Sequence, residues 1–180
     1  MEKYYKYVEK IKLNNQKKER IENVFFKDLL IINKLNIYKK VDEKTKILSI
    51  LQPISFYKNI SYQDIFIEFG KEIADLLENA SFFLDLPIKE YKKRELQLSK
   101  SRKKEVKIIK TIEQLVILEF IENKKTNWND DFISGYIVWS EKLIRKYNCE
   151  NKEIYKDVIK KIEKLKKIYN NKINLKDFLN

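Results

Sequence analysis

The residues of this chain that could do chemistry are mainly basic, and eight of them occur in three short runs. They are Lys17, Lys18, Lys92, Lys93, Arg94, Arg102, Lys103 and Lys104. Neighbouring ammonium and guanidinium groups bind phosphate oxygens, so these runs are candidate sites for an anion, a nucleotide or RNA. Runs of like charge are also typical of solvated helix surface, and that alternative stays open.

Histidine, cysteine and glycine are absent or scarce, and this excludes several kinds of site. The chain has no histidine, which excludes imidazole bases and histidine-ligated zinc. Its one cysteine, Cys149, excludes an internal disulfide and a zinc site made only of cysteines. Two glycines cannot build a glycine-rich phosphate loop.

The net charge of +12 favours an anionic partner, namely RNA, a ribonucleoprotein or an acidic protein surface. A second explanation stays open, because lysine, isoleucine and asparagine are abundant and AT-rich codons encode all three. Only four of the 39 basic residues are arginines, although the arginine fork suits phosphate better than the lysine ammonium does.

The elements that position these residues are predicted to be helices. Two glycines and two prolines in 180 residues leave few breaks, and apolar residues recur at helical spacing throughout. Asp42, Asn151 and the Ser61/Asp64 pair are typical helix caps. The length fits one domain over residues 1–180. The charged first residues and the short apolar stretches predict a cytoplasmic protein with no membrane segment.

The segment from Val106 to Glu122 is the best candidate for the core, since it is apolar on almost every face. Glu113 lies inside it. A buried carboxylate needs a partner, and Lys27 and Lys110 are candidates.

Several short motifs, in order along the chain, resemble one family. They are Asn15-Gln16-Lys17-Lys18, the stretch Ile60–Gly70 with its Asp64 and Phe69, Leu86-Pro87 with the basic run behind it, and Trp128 followed by Tyr136-x-x-Trp139. This pattern is similar to the RelA/SpoT-type HD-domain hydrolases, especially the small stand-alone alarmone hydrolases. The resemblance implies an all-α, compact, multi-helix HD-domain-like bundle.

The resemblance also implies where a metal site would lie. The family hydrolyses the 3′-pyrophosphate of guanosine tetraphosphate with a metal-bound water, and its ligands are two histidines and two aspartates. The ligand positions correspond here to Phe26 or Lys27, Gln52, Pro53 and Glu113. The family's Glu-Asp pair that handles the water corresponds to Phe56 and Tyr57, which have no carboxylate. Glu113 alone cannot hold a catalytic ion, which needs about three protein ligands. It either marks the former metal pocket or pairs with a lysine. The resemblance therefore implies a catalytically inactive pseudo-hydrolase that is not an enzyme and that has no catalytic residue, no metal and no cofactor.

Three functions remain open at this point. The leading one is a binding or regulatory protein that contacts RNA, a ribonucleoprotein or an acidic protein, for example an inhibitor of an RNA-guided nuclease (an anti-CRISPR). The alternative is a non-hydrolysing sensor of guanosine tetraphosphate or a related nucleotide. A residual enzyme built on Glu113, Asp28 and Asp64 is the third.

Overall fold

The computed structural model describes residues 1–14, 30–56, 60–80, 86–169 and 175–179. All regular secondary structure in these ranges is helical, and no strand occurs in them. The all-α prediction is therefore confirmed. The chain divides into two compact units, Met1–Phe82 and Phe83–Asn180, which we call the N-terminal and C-terminal units. That the whole chain is one domain stays a prediction.

The N-terminal unit consists of short helices. Its labelled helices are α1 (Glu2–Asn14), α2 (Glu43–Leu51), α3 (Tyr62–Phe69) and α4 (Lys71–Ala80), with a 3₁₀ helix over Gln52–Phe56 after α2. Residues 30–37 are also helical. Helices α1, α2 and α4 pack around the 3₁₀ helix.

The predicted caps start three helices. The Asp42 carboxylate accepts a hydrogen bond from the Thr45 amide at the start of α2. Ser61 and Asp64 form a reciprocal capping box at the start of α3, in which the Asp64 carboxylate also accepts from the Ser61 amide at 2.8 Å. Each cap satisfies amide groups that the first helical turn leaves without an intrahelical partner.

The C-terminal unit is built around one buried helix. Its elements are α5 (Ile88–Leu98), α6 (Lys104–Glu122), α7 (Asp130–Tyr147), α8 (Lys152–Ile168) and the five-residue α9 (Leu175–Leu179). Helix α6 packs against α7 and α8, while α7 also contacts α5 and α9. The apolar residues predicted for the α6 core are buried along its length, as expected for a helix enclosed by its neighbours.

Asn151 caps the start of α8, as predicted, by accepting a hydrogen bond from the Ile154 amide. None of the described helices is long and apolar enough to cross a membrane.

Candidate functional site

Four aromatic rings surround the ammonium group of Lys92, and we call this cluster the Lys92 box. Lys92 Nζ lies 4.4, 5.1 and 5.6 Å from the ring centres of Phe132, Tyr136 and Trp139 on α7, and 4.2 Å from that of Phe178 on α9. A cation within about 6 Å of an aromatic face is attracted by the electron density of the ring. The box therefore replaces part of the hydration that burial takes from this charge.

Lys92 itself is held firmly in the interior. Its side chain lies on α5, and the residue is only 3 % exposed. The indole Nε1 of Trp139 donates a hydrogen bond to the backbone carbonyl of Lys92 at 3.2 Å, which ties α5 to α7 at this residue. Burial lowers the pKa of Lys92 to about 8, because it removes hydration that stabilises the ammonium form more than the neutral amine.

The margin of the Lys92 box is accessible to solvent. Trp128, which is 37 % exposed, packs edge-on against Phe132 at 4.8 Å between ring centres and lies 5.1 Å from Tyr136. Lys89 is exposed one turn before Lys92 on α5, and residues three apart share a helix face. The margin therefore presents an indole ring and a further positive charge.

A second buried cluster lies between α5, α6 and α7 around Glu95, which is 1 % exposed. Arg102 donates to both carboxylate oxygens, at 3.1 Å from Nε and 2.6 Å from Nη2. The Tyr147 hydroxyl also donates to this carboxylate, and Lys110 Nζ lies 3.8 Å from Oε2. Two cations and a hydroxyl therefore face one buried carboxylate.

The Glu95 cluster changes the pKa values of its members. Burial alone would raise the pKa of Glu95, but the charges of Lys110 and Arg102 and the hydrogen bonds to the carboxylate hold it below its ordinary value. Burial, followed by the Glu95 charge, raises the pKa of Tyr147. At neutral pH the cluster therefore holds an ionised glutamate and a neutral tyrosine.

A third buried group is neutral and joins α6 to α7. Gln114 Oε1 accepts hydrogen bonds from the Tyr136 hydroxyl at 2.8 Å and the Ser140 hydroxyl at 2.9 Å. Burial, followed by the negative charge of Glu113, raises the pKa of Tyr136. This group fixes the Tyr136 ring and so one wall of the Lys92 box.

The residues at the family's metal positions do not fit a divalent ion. Gln52 and Pro53 are buried in the N-terminal unit, and Glu113 is buried in the C-terminal unit. Phe56 ends the 3₁₀ helix, while Phe26 and Tyr57 lie outside the described residues. An amide and a proline ring offer no anionic ligand, and the whole chain lacks histidine.

The part of the chain that the structure describes also contains no group of three or more Asp, Glu or Cys residues that could hold a metal. We therefore derive no metal-dependent step.

The predicted anion-binding residues lie in three different settings. Lys93, Arg94, Lys103 and Lys104 have side chains that reach solvent on α5 and at the start of α6. Lys92 and Arg102 are buried, so the alternative that they are solvated surface residues is wrong. They are buried because the aromatic rings compensate one charge and Glu95 compensates the other. Lys17 and Lys18 lie outside the described residues.

Sequence reasoning missed three residues of this region. Glu95 lies in a basic helix, and its only sequence signal of an ion pair is its separation of seven residues from Arg102. Gly135, one of two glycines in the chain, signals a close contact inside a helix. No sequence signal placed Phe178, because the partners of its ring lie on distant helices.

Comparison with known proteins shows a fold likeness without sequence similarity. No protein-family model matches the sequence, and no curated protein matches it significantly. A solved structure that it does resemble is that of a metazoan orthologue of SpoT, which hydrolyses ppGpp and plays a role in starvation responses. The TM-score is 0.69 at 17 % identity, with 77 % of this chain and 79 % of the other covered.

This chain shares its fold with the metazoan SpoT orthologue. The predicted resemblance to the RelA/SpoT-type hydrolases and the predicted HD-domain-like fold are thereby confirmed. The expectation that the chain is not an enzyme is contradicted by this comparison, because the protein with the similar structure hydrolyses ppGpp.

Proposed function

We propose that this chain binds guanosine tetraphosphate or a related phosphorylated guanine nucleotide at the Lys92 box and the basic residues beside it. The observation that carries this proposal is the fold likeness to a ppGpp-hydrolysing protein over 77 % of the chain. The Lys92 box and its margin supply chemistry that suits such a ligand. No residue is assigned a catalytic role.

The aromatic part of the site suits the base of the nucleotide. Trp128 and Phe132 form a continuous aromatic edge that is half-buried to exposed. Bases stack on such side chains, with a contribution of about 1–3 kcal/mol per base. The same surface lies next to the ammonium group of Lys92, which favours an electron-rich ring.

The basic part of the site suits the phosphates. Lys89, Lys93 and Arg94 follow one another along α5, and all have side chains that reach solvent. Lys93 pairs with Glu90 at 3.2 Å, and Arg94 donates to the Gln97 side chain at 3.5 Å. Both contacts are at the surface, where they contribute little and exchange easily for a phosphate.

The test is calorimetric titration of the full chain with guanosine tetraphosphate and with GDP, followed by chromatography of the nucleotides after incubation. We expect micromolar binding, which a Lys93→Ala/Arg94→Ala variant weakens about thirtyfold, since each of the two lost phosphate contacts costs on the order of 1 kcal/mol. The chromatography records whether pyrophosphate is released.

Lys124→Ala/Lys125→Ala is the matched control, because it removes two exposed positive charges elsewhere in the same unit. Its affinity should stay within twofold of the wild type. Absence of binding at millimolar nucleotide, or equal weakening in both variants, would contradict the proposal.

A second candidate function is the binding of RNA, either free or in a ribonucleoprotein, or of an acidic protein surface. The charge of helix α8 favours this function. Its last nine residues contain five lysines and one glutamate. Lys161 and Lys164 pair with Glu122, and Lys166 pairs with Glu141. Lys160 and Lys167 are exposed and have no ion-pair partner within the described ranges.

This second candidate predicts salt-dependent binding. Removing Lys160 and Lys167 should reduce the slope of log affinity against log salt by about two, since each phosphate contact releases roughly one counterion. A filter-binding series with a single-stranded RNA at several salt concentrations measures the slope. An unchanged slope would exclude α8 as the RNA-binding surface, and stronger binding to acidic protein than to RNA would favour the protein partner.

A further inference from the structure

Gly135 lies in the middle of α7, where glycine is unfavourable by about 1 kcal/mol relative to alanine. A Cβ atom at this position would lie 2.1 Å from Cδ2 and 2.6 Å from Cγ of Phe178. Both atoms belong to the rigid phenyl ring, so bending the tip of a flexible side chain could not relieve the overlap. The missing side chain therefore lets the Phe178 ring lie directly on the α7 backbone.

The same ring closes the Lys92 box. The centre of the Phe178 ring lies 4.2 Å from Lys92 Nζ, the shortest of the four cation–ring distances. It also lies 5.3 Å from the centre of the Phe132 ring, in an edge-on arrangement. The Phe178 ring thus lies between the ammonium group of Lys92, the Phe132 ring and the backbone of α7 at Gly135.

The helix that carries Phe178 is weakly held. Helix α9 has five residues, and none of them is fully buried. Leu175, Phe178 and Leu179 are half-buried, while Lys176 and Asp177 are exposed. Short elements with little buried apolar surface open at a small free-energy cost. The three α7 walls of the box, in contrast, belong to an 18-residue helix.

We propose that Phe178 is an internal plug, which occupies the seat that a purine base takes when α9 leaves. A purine is also flat, stacks on aromatic side chains and is attracted to a cation over its face. Its phosphates would reach Lys89 and Lys93 on α5. This inference rests on the proposed nucleotide-binding function and adds a regulatory step to it.

The plug predicts a defined effect on affinity. When the binding-competent state is only a fraction of the population, the apparent affinity falls by that fraction. A chain without the Phe178 ring no longer has this competition. Phe178→Ala should therefore bind guanine nucleotides more tightly than the wild type does, by about tenfold if the plug is seated for nine-tenths of the time.

The experiment titrates the wild type, Phe178→Ala and the control Lys176→Arg, which keeps the charge of an exposed α9 residue, with GDP, guanosine tetraphosphate and inorganic pyrophosphate. The two nucleotides should gain affinity only in Phe178→Ala. Pyrophosphate should bind all three proteins equally, because it has no base to compete with the ring. A circular dichroism melt of each protein verifies that it is folded.

The possible outcomes separate the plug from the proposed function. Nucleotide binding of equal strength in all three proteins would overturn the plug and leave the proposed function standing. Weaker binding by Phe178→Ala would show that the ring is a wall of the site, which also overturns the plug. Absence of nucleotide binding in every protein would overturn both.

Hydrogen exchange on the wild type gives an answer that does not depend on a variant. Saturating GDP should speed amide exchange over residues 175–179, since bound nucleotide and seated Phe178 exclude each other. Slower exchange of this segment on GDP binding would contradict the plug.

Discussion

Arg102 and Glu95 form a bidentate ion pair in the interior of the C-terminal unit. Nε and Nη2 of the guanidinium lie 3.1 and 2.6 Å from the two carboxylate oxygens, and the side chains are 5 % and 1 % exposed. The pair joins the end of α5 to the turn before α6. A buried charge left without its partner is costly, so this contact holds the turn in place.

Arg102→Ala should lower the free energy of unfolding by about 3–5 kcal/mol, the usual cost of breaking a buried ion pair from one side. Urea denaturation followed by circular dichroism measures it. Arg94→Ala is the control on the exposed face of α5, with an expected change within about 0.5 kcal/mol. A loss below about 1 kcal/mol for Arg102→Ala would show that water reaches Glu95.

Acidification should remove the contribution of Glu95 to the free energy of unfolding. Its folded-state pKa lies below the ordinary value of 4.5, so its stabilising effect is complete above pH 4.5 and is lost as the pH falls through the lower folded value. Below about pH 5 the free energy of unfolding of the wild type should therefore fall more steeply than that of Glu95→Gln. Chemical denaturation at several pH values measures both slopes.

Glu163→Gln is a suitable control for this series, since Glu163 is exposed on α8. Its slope should match that of the wild type. Equal slopes for the wild type and Glu95→Gln would contradict the assigned role of Glu95.

Alkaline pH should stabilise the wild type relative to Lys92→Met. The folded-state pKa of Lys92 is about 8 against an ordinary 10.5, so the unfolded chain binds more protons between these values and stability rises with pH across this window. Between pH 7.5 and 9.5 the gain should be about 2 kcal/mol, at 1.36 kcal/mol per pKa unit. Denaturation of both proteins at these two pH values measures it.

A gain below about 0.5 kcal/mol in this comparison would mean that the aromatic rings compensate the burial of the ammonium group almost fully. It would then follow that cation–ring attraction nearly balances desolvation in the Lys92 box.

Gly135→Ala should destabilise the protein although alanine is the better helix former. The new methyl group would collide with the Phe178 ring, whose nearest atom lies 2.1 Å from the Cβ position. In a Phe178→Ala background the same substitution should instead stabilise by about 1 kcal/mol, because only the helix preference remains. A double-mutant cycle measured by thermal denaturation tests this reversal of sign, and additive effects would show that Phe178 does not lie on Gly135.

Gln114→Leu should leave the Tyr136 and Ser140 hydroxyls without their acceptor. Each buried group that loses its partner costs about 1–3 kcal/mol. The triple variant Gln114→Leu/Tyr136→Phe/Ser140→Ala should recover part of the loss, since it removes the stranded hydroxyls as well. Denaturant unfolding of both variants measures this recovery. No recovery in the triple variant would show that packing at residue 114, and not hydrogen bonding, causes the loss of stability.

Much of the helical framework could be predicted from local sequence. Asp42, Ser61 and Asn151 start their helices as expected, because a cap needs only a short polar side chain and amides two or three residues away. The buried length of α6 was equally predictable, since its apolar residues leave it no polar face. The candidate site was less predictable: the basic run on α5 and the aromatic residues of α7 could be found, but not their arrangement.

The sequence by itself determined the helix class, the caps, the buried central helix and the lack of a histidine-based site. Only the tertiary structure decided which charges are buried. Lys92 and Lys93 are neighbours of one type, yet one is enclosed by rings from α7 and α9 and the other reaches solvent. The reason is physical: the burial of a charge depends on partners such as Tyr147, which lies 52 residues from Glu95, and local sequence does not specify such distant partners.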